Sequence, residues 1–270
     1  MLLLGFGVFQ MDDLNQCEES VLHALKTGYR LIDTAVAYEN EEAVGNAIKR
    51  SGINREEIFI TSKAWISYDG YKKTLQSFEQ TLKKLQTDYL DLYLIHMPLG
   101  DYHGTWRAME ELYKAGKIKA IGVCNFLEDR LVDLILSHEI VPAVNQVEMH
   151  PFNQQQELRK VMGKYDIKTM AWGPFAEGKN GIFTNEVLVK IGKKYEKSAA
   201  QVIIRWFREK GVITIPKSVH LERIEENFQV NDFTLTNEDM EEIGNLDLKH
   251  SLILDITSLD EIYRMHGEWH

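Results

Sequence analysis

Residues 28–38 read GYRLIDTAVAY, an apolar, strand-like run that carries a carboxylate at Asp33 and a phenol five positions later at Tyr38. An ionised aspartate near the end of a buried strand is costly unless a cation meets it. TSKAW offers that cation at Lys63, and LIHMP closes a third apolar run with His96. Together these four side chains could move a proton onto an oxygen. A tyrosine hydroxyl, with a reference pKa of about 10, is a poor donor at neutral pH unless a cation stabilises its phenolate. Lys63 is the expected cation, Asp33 the group that keeps it charged, and the lysine is expected to bring the Tyr38 pKa down toward working pH. His96 could hydrogen-bond a substrate oxygen, and a proton donor beside a carbonyl suggests reduction. Each residue alone has a plainer reading: a helix cap for Asp33, a solvated strand end for Lys63, a satisfied core histidine for His96, a packing aromatic for Tyr38. Their joint placement decides between the two.

That placement depends on the elements that carry them. Strand-like runs at 2–8, 30–35, 58–63, 89–96, 118–124, 143–149, 167–173 and 212–216 alternate with amphipathic stretches, the rhythm of parallel βαβ units. The helical stretches are 17–27, 41–52, 71–85, 105–115, 127–137, 154–165, 186–195 and 198–210, with Gly52 placed as a C-cap. Eight strand–helix repeats in a chain of this length predict a (β/α)₈ TIM barrel. The competing doubly wound sheet would carry a Gly-rich fingerprint after its first strand, and GFG at 5–7 matches it only in part. In a barrel Asp33, Lys63 and His96 end the second, third and fourth strands and meet at the C-terminal rim, where this architecture builds its active sites. No linker, repeat or low-complexity tract divides the chain, so it reads as one domain over 1–270.

Composition narrows the function classes. A net charge of −10 argues against non-specific binding to nucleic acid or to an anionic membrane. The two cysteines, Cys17 and Cys124, form no CxxC or disulfide framework, which fits a reducing cytosol. No metal-ligand cluster stands out. The apolar opening MLLLGFGVFQ lacks a basic n-region and runs into Asp12 and Asp13, unlike a signal peptide. No window reaches the length of a membrane span. The expectation is a soluble, cytoplasmic protein, monomeric or weakly self-associating, whose partner is a small molecule.

The motifs GYRLIDTAVAYENEEAVGNAIK, TSKAW, DYLDLYLIHMP, GKIKAIGVCNF, PAVNQVEMHP and IPKSVHLERIEENF occur in this order along the chain. They resemble the aldo-keto reductases, in particular the prokaryotic diketogluconate and methylglyoxal reductase branch, from Gly5 to about Leu246. The resemblance implies a reductase of small aldehydes, ketoaldehydes, ketoses or diketo sugar acids that draws its hydride from NADPH. It makes Tyr38 the proton donor, Asp33 and Lys63 its tuning pair, and His96 the substrate-orienting residue. Asn125 and Gln146 would hydrogen-bond the nicotinamide carboxamide, and the Trp172 ring would stack on the nicotinamide. Lys217, Ser218 and Arg223 resemble a clamp for the 2′-phosphate, with Glu226 and Asn227 near the adenine. Gly7, Val8, Asp33, Gly173, Phe175 and Val219 complete the implied cofactor contacts. The phosphate assignment agrees with elementary physics, since PKS precedes a helix whose first amides favour an anion.

The chain departs from the family pattern at several points. Cys124 replaces the usual serine, a weaker hydrogen-bonding group. Gly173 and Phe175 replace a serine and a leucine, and Met97 stands where tryptophan is common. The chain begins four residues before GFG, so the hairpin that plugs the barrel bottom is expected to be missing, leaving the lower mouth exposed or covered by another segment such as the C-terminal tail. Two rival readings stand beside the reductase. One is a catalytically idle cofactor-binding barrel with a structural or regulatory role. The other is unrelated barrel chemistry with Lys63 as a Schiff base.

Overall fold

A computed structural model describes residues 3–267. Strands β1 (Phe6–Gly7), β2 (Leu31–Asp33), β3 (Phe59–Ala64), β4 (Leu92–Ile95), β5 (Ile121–Cys124), β6 (Val144–Glu148), β7 (Lys168–Trp172) and β8 (Ile213–Thr214) all run parallel, in sequential order. Between them lie helices α1 (Leu14–Thr27), α2 (Glu41–Ser51), α3 (Tyr71–Leu85), α4 (Tyr102–Lys114), α5 (Glu128–Ser137) and α6 (Gln156–Lys164), then the pair α7 (Glu186–Tyr195) and α8 (Ala199–Glu209). After β8 come α9 (Leu221–Phe228), α10 (Asn237–Gly244) and α11 (Leu259–Gly267). A parallel bridge between Leu4 and Thr214 closes the sheet. There Gly5 N donates to the Thr214 carbonyl at 2.8 Å and Thr214 N to the Leu3 carbonyl at 2.9 Å. The result is the expected (β/α)₈ barrel. Leu2, at the start of the first expected strand, lies outside the described residues.

The strands are buried on both faces, which is why they read as near-continuous apolar runs. Leu31, Leu92, Leu94, Cys124, Val144, Met170, Ile213 and Ile215 pack together as one cluster, and a larger one forms around Phe78, Tyr93 and Trp106. Side chains at Gly122 are excluded by close approach: a Cβ there would sit 2.5 Å from the Val144 carbonyl oxygen. Helix ends follow local sequence. Asp13 caps α1 by accepting from the Asn15 and Gln16 amides, and Gly52 ends α2 in the left-handed region at φ 69°. Ser198 and Gln201 form a capping box on α8.

Two elements were not anticipated. Helix α10 opens with a capping box of Thr236 and Asp239, a signal present in TNED. Helix α11 ends the described part of the C-terminal tail. At the lower mouth Leu3, Phe59 and Ala120 stay partly exposed, and the described part of that tail packs at the other rim. Its residues Ile253, Leu254, Arg264 and Met265 wall the cavity that Tyr38 faces. Among the described residues no helix is long and apolar enough to cross a membrane.

Candidate active site

Asp33 is the last residue of β2, Lys63 lies one residue from the end of β3, and His96 follows β4 directly. Tyr38 closes a short 3₁₀ turn, Val36–Tyr38, on the loop after β2. That loop is pinned by buried polar contacts: Thr34 Oγ1 donates to Asn40 Oδ1 and Asn40 Nδ2 to the Val8 carbonyl, each at 2.9 Å. Lys63 Nζ then meets Asp33 Oδ1 at 2.5 Å, the Thr34 carbonyl at 2.9 Å and the Tyr38 hydroxyl at 3.2 Å. The cation that Asp33 requires is therefore Lys63. Both side chains are buried, and Gln146 Nε2 donates to the other Asp33 oxygen at 2.7 Å.

Burial works against a charge on Lys63, but the adjacent Asp33 carboxylate wins and raises the ammonium above its ordinary value. Burial pushes the Asp33 carboxyl up, against the pull of Lys63 and Gln146. Tyr38 departs from expectation. Burial raises the phenol more than Lys63 lowers it, and the net result is a group pushed up to about 12. Lys63 thus does not bring Tyr38 to working pH; it offsets part of a larger desolvation cost, and the phenol stays protonated. Burial and the Lys63 charge hold His96 well below its ordinary value, as a neutral imidazole. Its ring packs edge-on against Tyr38 at 5.6 Å and Trp65 at 4.8 Å.

Asn125 adopts the left-handed region at φ 62°, which asparagine tolerates better than most residues. From there its Oδ1 accepts from Trp172 Nε1 at 2.8 Å and its Nδ2 donates to the His96 carbonyl at 3.1 Å. One side chain thereby ties the end of β7 to the end of β4. Tyr38, His96, Asn125, Gln146 and Trp172 share the wall of a cavity of about 650 Å³. A second cavity of about 360 Å³ adjoins it, and Phe175, Phe183, Lys217 and Arg223 border both. Ser218, Glu226 and Asn227 line that second space. Gly7 and Gly173 lie on the first cavity's wall. Val8 is wholly buried and Val219 packs against the core, so neither side chain reaches either cavity among the described residues. Ser218 Oγ accepts from the His220 amide at 3.1 Å, shaping the turn before α9.

Sequence reasoning passed over Glu148, Phe9 and Trp65. Glu148 gave the same signal as Asp33, a carboxylate in an apolar strand run. Phe9 and Trp65 gave none, because an aromatic beside a loop reads as packing. Among the described residues no cluster of histidine, cysteine and carboxylate side chains could hold a metal.

A parallel barrel whose C-terminal rim joins a buried ion pair, a phenol and a neutral imidazole beside an extended, largely apolar cleft defines a carbonyl oxidoreductase. The sequence profile of the aldo/keto reductase family matches residues 3–247, and the chain belongs to that family. It is 53% identical over 243 residues to a glyoxal reductase of Bacillus subtilis (strain 168), covering 90% of this chain and 87% of that one. An aldo-keto reductase from a Medee basin deep-sea metagenome library superposes with a TM-score of 0.93 at 43% identity, covering 96% of each chain. A Bombyx mori aldo-keto reductase solved in complex with NADP superposes with a TM-score of 0.89 at 32% identity, covering 94% of this chain and 92% of that one.

Enzymes of this family use NADP(H), and the residues here fit such a group. The two adjoining cavities form one extended cleft with Lys217 and Arg223 where they meet. Ser218 and Asn227, both buried, add hydrogen-bonding groups, and Trp172 offers an aromatic face beside Asn125 and Gln146.

Proposed function

We propose that this chain is an NADPH-dependent reductase of small aldehydes and ketones, with Tyr38 as the proton donor. Ketoaldehydes, ketoses and diketo sugar acids are the substrate classes to test. The observation that carries the reading is the line from Asp33 through Lys63 to Tyr38, ending on a cavity wall beside His96. The bound dinucleotide supplies a hydride to the carbonyl carbon. Lys217 and Arg223 would hold its 2′-phosphate by charge-assisted hydrogen bonds, with Asn125 and Gln146 toward its carboxamide and Trp172 beside its nicotinamide.

This chain's own residues do the rest. His96, neutral, orients the carbonyl oxygen by a hydrogen bond. Tyr38 gives that oxygen its hydroxyl proton, so that a C–H bond and an O–H bond form as the C=O double bond becomes single. Lys63 stabilises the phenolate left behind, and Asp33 with Gln146 keeps the lysine charged and aimed. Solvent then returns a proton to Tyr38. A lysine held as an ammonium by Asp33 is a poor amine nucleophile, which argues against the Schiff-base alternative. An idle barrel would leave the four residues without a use.

Following NADPH absorbance over a panel of such carbonyls tests the proposal. No oxidation of NADPH with any of them would sink it. The acidic charge and the buried, unpaired thiols support a cytoplasmic protein that meets no nucleic acid. Sedimentation would show whether it is a monomer or a weak homo-oligomer.

A further inference from the structure

Glu148 ends β6, is 4% exposed, and has no part in the proton chemistry above. Its carboxylate is saturated. Oε1 accepts from the Leu252 amide at 2.8 Å and meets His150 Nε2 at 3.1 Å. Oε2 accepts from Ser251 Oγ at 2.6 Å and from the Leu254 amide at 3.2 Å. Three of the four partners thus belong to residues 251–254, beyond the 3–247 that match the family profile. Ser251 Oγ also accepts from the Leu254 amide at 3.0 Å, folding the segment into a tight turn on the carboxylate.

The turn held in this way borders the cleft. Ile253 and Leu254 line the main cavity, and α11 brings Arg264 and Met265 to the same wall. Ile253 presses on the turn after β7: a Cβ on Gly173 would lie 2.8 Å from its Cδ1. That turn separates Trp172 from Phe175, both cavity residues. The tail therefore leans on the elements assigned to the dinucleotide, and one carboxylate holds it there.

We propose that Glu148 is a positioning residue, an ionised latch that fixes the C-terminal segment as a wall of the dinucleotide cleft and so sets how fast the cofactor leaves. The inference rests on reading the cleft as the NADPH site. Burial opposes the charge on Glu148, but His150, Ser251 and the Leu252 and Leu254 amides more than offset it and hold the carboxyl below its ordinary value. A neutral amide in its place would turn an NH₂ toward one pair of donors, losing acceptors that a carboxylate provides.

The test measures NADPH dissociation by stopped-flow fluorescence and amide hydrogen exchange at 251–254 in wild type, Glu148→Gln and Ser251→Ala. Ser251→Ala removes two of the turn's hydrogen bonds, one of them to Glu148, without substituting a barrel residue. Both variants are expected to release NADPH on the order of tenfold faster, the size of one charge-assisted hydrogen bond, with faster exchange of the Leu252 and Leu254 amides. If wild type binds NADPH and both variants release it at the wild-type rate, the latch is overturned alone, whether or not exchange quickens. Wild type that binds no NADPH overturns the cofactor reading and this inference together. Should Glu148→Gln fail to fold, Ser251→Ala decides.

Discussion

Lys63 Nζ stands 3.2 Å from the Tyr38 hydroxyl, yet only the tyrosine lies on the cavity wall. The lysine is wholly buried behind it, held by Asp33 and the Thr34 carbonyl. Under the proposed mechanism its charge would act on substrate through the phenol.

Tyr38→Phe removes the donated proton and leaves the ion pair behind it in place. The expected loss in kcat is roughly 10²–10⁴-fold, with the dissociation constant for NADPH nearly unchanged. Steady-state rates beside a fluorescence titration give both numbers. A variant keeping more than about a tenth of wild-type kcat would remove Tyr38 from its role.

Lys63→Met withdraws the cation and leaves the buried Asp33 carboxylate with Gln146 as its side-chain partner. Breaking a buried pair from one side costs about 3–5 kcal/mol, so chemical denaturation should show a drop of that size together with lost turnover. Full activity in this variant would refute the pairing as the source of catalysis.

Arg223→Ala tests the reading of the phosphate end. Charge-assisted hydrogen bonds are worth roughly 1.5–3 kcal/mol each, so NADPH should bind on the order of ten- to hundredfold more weakly. NADH, lacking the 2′-phosphate, should be nearly unaffected. The ratio of the two dissociation constants in wild type and variant is the measurement, and equal weakening of both would show that Arg223 does not read the phosphate.

Acid stability should report on Asp239. Burial opposes its charge, but Tyr195, the Thr236 amide and Lys194 hold the carboxyl down to about 2, from an ordinary 3.8. A carboxyl depressed in the folded state contributes stability that is present above the unfolded value and is lost as pH falls through the folded one. Asp239→Asn should therefore lower stability above pH 3.8 and flatten its fall between there and about 2. Denaturation curves across that window that stay parallel to wild type would contradict the assignment.

Much of this site was legible because its cost was legible. A carboxylate in the apolar run of β2 demanded a partner, and equivalent strand ends on β3 and β4 supplied Lys63 and His96 at one rim. Alternation pointed to parallel strands, since parallel neighbours need a crossover helix, and eight repeats with only a partial glycine fingerprint favoured the closed barrel over a doubly wound sheet. The Tyr38 shift was misjudged because sequence names the charges around a phenol but not the depth at which it is buried. The tail was opaque for a related reason: its contacts with Glu148 span about a hundred residues, and no local periodicity announces such a bond.

The ion pair and the buried thiols also bear on self-protection. Aldehydes and ketoaldehydes condense with neutral amines and with thiolates, and an enzyme that gathers them is exposed to damage by its own substrates. Lys63, the amine closest to Tyr38, is held as a non-nucleophilic ammonium by Asp33. Burial keeps both thiols in the unreactive protonated form, Cys17 raised to about 12 and Cys124 raised as well, the latter despite its lysine neighbour. In the proposed reductase, the arrangement that readies Tyr38 would therefore also shield Lys63, Cys17 and Cys124 from covalent capture of the carbonyl.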